Sequence, residues 1–409
     1  MRKLLQATAL ATAALITMTG CVGGDTDSGE KSVTVRMYPA VSDEARHKEL
    51  WSGLVAKFNQ TNPDIKVTVE ILPWAKRDEA LQTAIASNTA PDLVYLVPDQ
   101  LSAYEKDIEP MTKYLDGERR DNLLPNVKQA VTFEGEMLGA PLLTSANPLV
   151  CNAAAFRAAG VTNYPTTWDD VNEMAPKFTE KGMYALTYSA DPSQTLNMSF
   201  YPLLWQAGGT VFDSDGKVSF NSAQGVRALE FITRLAKEQA LEPDPLTTAV
   251  NTEQTAFVAG RSGCTWSIPA ADLVPHLGAD NVVVLPPLKD DQSVAYGTVG
   301  SLSMLKSARD KEAAGKFAAF VTDPANSIDY LRAGGNFSPT STSNALYSDD
   351  PVLGKVEQTL PSVRFGEPNH AARQVMGVLS PEIQAALLGQ KSPQNALADA
   401  SNSASALTR

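Results

Sequence analysis

The chain has 409 residues, with 34 Lys+Arg against 46 Asp+Glu, a net charge of −12 and a pI near 4.9. An acidic chain without a basic patch argues against nucleic acid as a partner, because phosphate binding needs clustered cations. Hydrophobic residues make up 43% and charged residues 20%, an ordinary globular balance, and the length favours more than one domain-sized core. His47, His276 and His370 are scattered along the chain, so no zinc-like cluster is expected and no cofactor is implied.

Arg2 and Lys3 precede an apolar run, Leu4 to Thr17, of signal-peptide length and too short to span a bilayer. Met18-Thr19-Gly20-Cys21 resembles a bacterial lipobox. The resemblance implies a leader over residues 1–20 and a diacylated Cys21 as the mature N-terminus. Residues 21–31 are glycine-rich and polar and read as a flexible tether. The expected location is extracytoplasmic, on the outer face of the cell membrane, held there by lipid alone.

Val33, Val35 and Met37 alternate with polar residues and predict a strand. Ser42 can cap a helix with Asp43 and Glu44 in its first turn and Leu50, Trp51, Leu54, Val55 and Phe58 on one face. Asn62-Pro63 ends it. Ile65 to Ile71 alternates again, residues 76–87 read as a helix, and Leu93 to Val97 is a continuous apolar run that suits a strand buried on both faces. Strand and helix in alternation predict a parallel sheet with crossover helices.

Further on, "GEMLGAPLL", "PLVCNAAAF", "YALTY", "GCTWSI" and "NVVVL" read as strands. "PTTWDDVNEMAPKF" reads as a helix with Thr166 and Asp169 at capping-box spacing. Ser222 can cap a helix bearing Val226, Leu229, Ile232 and Leu235, and "DKEAAGKFAAFV" is a further helix. From residue 369 the chain reads as helical, with Ser380-Pro381 and Ser392-Pro393 each placing a cap before proline. Cys151 and Cys264 lie in apolar strand-like runs. Export permits a disulfide between them, but the pattern favours free thiols acting as small buried hydrophobes.

Several phrases in order resemble the maltose-binding-protein-like class of extracellular solute-binding proteins, the carbohydrate receptors of ABC importers. These are "LVAKFNQTNPDIKVTVE", "LQTAIASNTAPDLVYL", "DIEPMTKYL", "EGEMLGAPLLTSANPLVCNAAAFRAAGV", "YPTTWDDV", "AFVAGRSGCTW", "KEAAGKFAAFVTDP", "GNFSPTSTS" and "LLGQKSPQNALADA". Cys151-Asn152 departs from the Tyr-Asn-like dipeptide of that class. The resemblance implies two α/β lobes joined by hinge strands, with ligand between them. Lobe 1 would hold residues 32–143 and 298–335, and lobe 2 residues 144–297 and 336–409.

A sugar needs aromatic plates for its C–H faces and planar polar groups for its hydroxyls. Aromatic residues are 7% of the chain, with five tryptophans. Trp51 falls on an apolar helix face and Trp168 in a helix's first turn, both packing positions. Trp74 directly follows the second strand, at the carboxyl edge where parallel sheets bind ligands. Tyr38 ends the first strand at that edge. Trp205 sits on a helix that runs into paired glycines, and Tyr188 ends "YALTY". By resemblance, Asp99 occupies the place of a sugar-binding carboxylate, with Gln100 beside it. Ser145 matches a hinge-strand contact where the relative carries a carboxylate, and Trp266 lies near the hinge. Asn336 and Phe337 lie in a segment that returns to the cleft, and Arg364 in a loop that reaches it.

A glycosidase would need two carboxylates at a fixed separation, and no distinctive pair or hydrolase motif is present. The expected function is therefore capture of a carbohydrate, a di- or oligosaccharide, by a monomeric, non-enzymatic lipoprotein. It would deliver the sugar to ABC permease subunits served by a cytoplasmic ATPase. A sugar-sensing lipoprotein, or a receptor for a polyol or glycerophosphodiester, is the alternative.

Overall fold

Val33, Val35 and Met37 do form a strand, β1 (Lys31–Met37), and β2 (Ile65–Ile71) pairs with it in parallel, Lys31 opposite Ile65 and Met37 opposite Ile71. The computed structural model describes residues 31–41, 43–74, 77–341 and 346–408. The leader, Cys21 and most of the tether lie outside the described residues. So does Ser42; the cap of α1 (Glu44–Thr61) is Asp43, whose carboxylate accepts from the Arg46 N–H at 3.0 Å. That helix buries Trp51, Leu54 and Phe58, as its periodicity requires.

After α2 (Arg77–Ala86), β3 (Leu93–Leu96) pairs in parallel with the other side of β1 and is buried throughout. A short helix, α3 (Pro98–Ala103), follows at its carboxyl end. The seven-stranded sheet is completed around the long strand Ala295–Leu305, which runs antiparallel to β3 and to Ala140–Asn147 and parallel to Val363–Arg364. A second sheet of four strands has the order Val282–Leu285, Leu149–Asn152, Ser262–Thr265, Tyr184–Leu186.

Two hydrophobic cores form: the first surrounds the seven-stranded sheet and reaches Val150, Val282 and Val284 of the four-stranded sheet, and the second holds Leu149, Cys151 and Cys264 of that sheet. The chain leaves the seven-stranded sheet after Ala140–Asn147, returns to it through Ala295–Leu305, and leaves it again after Val363–Arg364. The result is a two-lobe α/β fold with hinge strands. Phe337, Tyr347, Val352, Val356, Leu360 and Phe365 pack into the first core. Thr144 and Phe337 exchange backbone hydrogen bonds at 2.9 and 2.8 Å, which ties the start of this stretch to the strand Ala140–Asn147.

Three local expectations change. Cys151 and Cys264 form a disulfide: the antiparallel strands Leu149–Asn152 and Ser262–Thr265 place them directly opposite each other, a register that spacing along the chain does not reveal. The capping box shifts by one residue to Thr167 and Asp170, with Asp170 also accepting from the Thr166 N–H and hydroxyl at 2.8 Å. Ser380-Pro381 starts no helix; Pro381 lies inside Ala372–Leu387, where packing of Leu379, Ile383 and Leu387 in the second core carries the helix past the missing N–H. Ser392 does cap Pro393–Ala404, accepting from the Asn395 N–H at 3.2 Å. At the Cys151-Asn152 departure, Asn152 caps the helix Ala153–Ala159 by accepting from Ala154 and Ala155 N–H groups.

Candidate functional site

The carboxyl ends of β1 and β2 deliver the first wall of the site. Tyr38 leaves β1 and stacks on Trp74 with ring centroids 5.2 Å apart and planes 27° apart. Trp74 follows β2, meets Tyr95 edge-on at 5.9 Å, and anchors its indole N–H on the Pro39 carbonyl at 2.7 Å. It stays 38% exposed, which leaves ring surface for a partner. The Arg77 guanidinium lies 4.7 Å from the Trp74 ring centre. Tyr38 itself is buried, and its hydroxyl has no hydrogen-bond partner among the described residues. Burial raises its pKa, against a lowering pull from Arg36 and Arg77.

Asp99 sits in the first turn of α3 and Asp78 in the first turn of α2, both at helix ends that favour anions. Gln100 is buried and turned inward: its amide N–H donates to Asp78 at 2.5 Å and its carbonyl oxygen accepts from Val97 N–H at 3.3 Å. It therefore orients Asp78.

A second aromatic and charged cluster forms where the helix Phe200–Gln206 meets the segment after the strand Val363–Arg364. On Phe200–Gln206, Trp205 is buried, and its indole N–H donates to Glu367 at 2.7 Å. Arg364 covers the same ring at 5.0 Å and pairs with Glu367 at 3.4 Å. Burial raises the Glu367 pKa, partly offset by Arg364 and the Trp205 N–H. Tyr201, a turn before Trp205, is buried, and its hydroxyl has no partner among the described residues. Burial, Glu367 and Asp99 push its pKa far up.

Arg373, on Ala372–Leu387, joins the walls. It reaches Asp99 at 3.3 Å and Asp78 at 3.0 Å. Tyr296, on the long hinge strand, feels the same groups: burial and Asp99 raise its pKa to about 12, while Arg77 and Arg373 pull it down. Tyr201 and Tyr296 thus both lie within the fields of Asp99 and Arg373.

Of the residues singled out in the sequence, Tyr38 and Trp74 meet directly, Gln100 bonds Asp78, Asp99 shares Arg373 with Asp78, and Arg364 covers the Trp205 ring. Tyr188 and Trp266 meet edge-on at 5.7 Å but are buried in the second core, where the Trp266 N–H donates to the Ser199 carbonyl at 3.3 Å. Ser145 lies on the hinge strand opposite Thr298. Asn336 braces loops, donating to the Ala40 and Gly334 carbonyls at 3.2 Å. Phe337 is not brought to the seam: it is buried in the first core and packs edge-on against Tyr347 at 5.3 Å. Arg77, Asp78, Tyr201, Tyr296, Glu367 and Arg373 were not anticipated. Single charged or phenolic residues carry no periodic signal, and only the fold brings them together.

A groove of about 1030 Å³ elsewhere is lined by Trp168, Arg227, Phe231, Lys289, Leu387 and neighbouring second-lobe residues. It touches one lobe only and cannot register closure. Among the described residues no group of His, Cys, Asp and Glu is arranged to hold a metal ion.

The chain belongs to the family of bacterial extracellular solute-binding proteins, whose sequence profile matches residues 43–328. It is 23% identical over 394 residues to a Brucella abortus chain provisionally named as a binding protein, covering 94% of each. It is 24% identical over 381 residues to the mannitol-binding protein of Pseudomonas aeruginosa, covering 85% of this chain and 87% of that one. A Streptomyces antibioticus lipoprotein is 27% identical over 221 residues, 52% of this chain and 47% of the relative. Among solved structures, an ABC transporter solute-binding protein of Thermotoga lettingae bound to α-D-tagatose superposes with a TM-score of 0.80 at 22% identity, covering 93% of this chain and 100% of that one. Maltose-bound MalE3 of T. maritima gives 0.79 at 22% identity, covering 92% and 99%.

Proposed function

We propose that this protein captures a carbohydrate between its lobes and hands it to an ABC importer. The observations that carry the reading are the Tyr38–Trp74 stack, the Trp205–Glu367–Arg364 cluster and the Arg373 contacts to Asp99 and Asp78. Aromatic faces suit sugar C–H surfaces, and carboxylates and guanidinium suit hydroxyl pairs. Trp74, Asp99, Trp205 and Arg364 are the proposed contact residues, with Tyr38, Tyr201 and Tyr296 behind them; Ser145, Tyr188, Trp266 and Asn336 are proposed to support the hinge and second wall. Tagatose and maltose in structural neighbours support a sugar, and the mannitol-binding relative keeps a polyol as the second reading.

The role is binding without catalysis. Ligand would shift an open–closed equilibrium by touching both lobes only when closed. The lobe division proposed for this movement is 31–147 with 295–365 against 148–294 with 366–408. A lipid on Cys21 would hold the body at the outer face of the membrane; the lipoprotein relative from Streptomyces supports this. Among the described residues no helix is long and apolar enough to cross a membrane.

The test is thermal unfolding of the protein against mono- to pentasaccharides, glycosides and polyols. A ligand at ~100 times its Kd adds about 2.7 kcal/mol. At roughly 2–4 °C per kcal/mol, that moves Tm by several degrees. A shift for one sugar class, with the sugar recovered unchanged, is the expected result. Consumption of the sugar would restore the enzyme reading, and a flat response to every sugar and polyol would overturn the carbohydrate assignment.

A further inference from the structure

The contact between the lobes at Arg373 uses no ligand. Arg373 is rooted in the second lobe, since Val375, Met376 and Leu379 of its helix lie in the second core. Its guanidinium crosses to the first lobe. Nη1 donates to Asp99 at 3.3 Å, and Nη2 and Nε donate to one oxygen of Asp78 at 3.0 and 3.2 Å. The other Asp78 oxygen is held by Gln100. The Asp99 side chain is 4% exposed, and those of Arg373 and Asp78 are 29% and 27% exposed. One turn earlier, the His370 ring meets the Ser102 carbonyl of α3, a second crossing from the same helix end.

We infer that Arg373 is an interlobe latch, which draws the lobes together before any solute arrives and whose dedicated counter-charge is Asp78. The physical reason lies in the charge count. Asp78 and Asp99 both belong to the first lobe, and closure covers them with the second lobe. Without the guanidinium, closure would strip water from two first-lobe carboxylates and supply no counter-charge, which favours the open form, in which water screens both. With it, charge-assisted bonds to two helices of the first lobe exist only in the closed form. Closure free energy supplied by the latch need not come from the ligand, so the latch raises the closed, binding-competent fraction and with it the apparent affinity. This rests on the two-lobe reading of the site above, but it is measured without ligand.

The experiment is small-angle X-ray scattering of the full chain with no added solute. Wild type, Arg373→Gln and Asp78→Asn are compared from 50 mM to 1 M NaCl. The expected result is a compact wild type whose radius of gyration rises with salt. Arg373→Gln is expected to be already expanded in low salt and insensitive to more of it, with Asp78→Asn in between. Equal radii for wild type and Arg373→Gln at low salt would overturn the latch. If Arg373→Gln does not unfold cooperatively, wild type and Asp78→Asn decide, and radii that ignore both salt and substitution overturn it. A failed sugar panel leaves these curves standing, and flat curves leave the sugar panel standing.

Discussion

The buried indole N–H of Trp205 donates to the buried carboxylate of Glu367 at 2.7 Å, while Arg364 covers the ring. Burial raises the Glu367 pKa. The native state therefore holds this proton more tightly than the unfolded chain. The group's contribution to stability is full below the ordinary glutamate value and is lost as pH rises through the elevated one. Glu367→Gln keeps an oxygen acceptor for Trp205 and has no proton to lose. Urea unfolding across a pH series checks this: the stability of Glu367→Gln relative to wild type should increase as pH rises from acid towards neutrality. A difference that does not change with pH would contradict the assignment.

Trp51 and Trp74 make opposite predictions from the same residue type. Trp51 is 1% exposed in the first core, so Trp51→Ala should cost about 3–5 kcal/mol. Trp74 is 38% exposed, and Trp74→Ala should cost roughly 1 kcal/mol or less of stability. Its effect should appear in calorimetric titration with the sugar that shifts Tm most, as at least about a tenfold loss of affinity. Unchanged affinity would remove Trp74 from the contact set.

The disulfide closes a sequence separation of 113 residues inside the second lobe. Chain-entropy reasoning puts its worth at up to about 4–5 kcal/mol for a loop of this length. Cys151→Ala with Cys264→Ala should lower Tm by several degrees, read by calorimetry, and reductant should act on wild type only under partly denaturing conditions, because both cysteines are fully buried. A Tm that matches wild type would show that the bond contributes nothing to stability.

Gly300 sits at a register irregularity in the strand Ala295–Leu305, against Tyr95. A Cβ there would fall 1.8 Å from the Tyr95 hydroxyl oxygen and 2.2 Å from the ring. Tyr95 in turn supports Trp74 edge-on. Gly300→Ala should therefore cost about 1–3 kcal/mol and weaken ligand binding by displacing the plate. Gly53, in α1 with nothing within 4 Å, is the contrast. Gly53→Ala should gain up to about 1 kcal/mol in denaturant melts.

Elements with a strong period were legible in advance. Trp51, Leu54 and Phe58 mark α1, and the unbroken apolar run marks β3 as buried on both faces. The strand Ala295–Leu305 was not, because glycine and serine interrupt its pattern and its partners lie far along the chain at β3 and Ala140–Asn147. The disulfide escaped for the same reason: only strand register makes Cys151 and Cys264 neighbours. At the site, Trp74 and Asp99 could be found because strand ends are predictable places. Arg373 and Glu367 could not, since their roles depend on which helix and loop of the second lobe face the first.

The covalent staple lies wholly within one half of the molecule. Both cysteines belong to the core that also holds Trp205 and the helix of Arg373, and among the described residues the other half contains no cysteine. Material produced in a reducing cytosol would leave this bond unformed. Such a preparation would combine a normal Trp74 wall with a loosened Trp205 wall. Its weak or variable affinity would then report the compartment of production, so thiol content should be measured on every batch before any binding constant is compared.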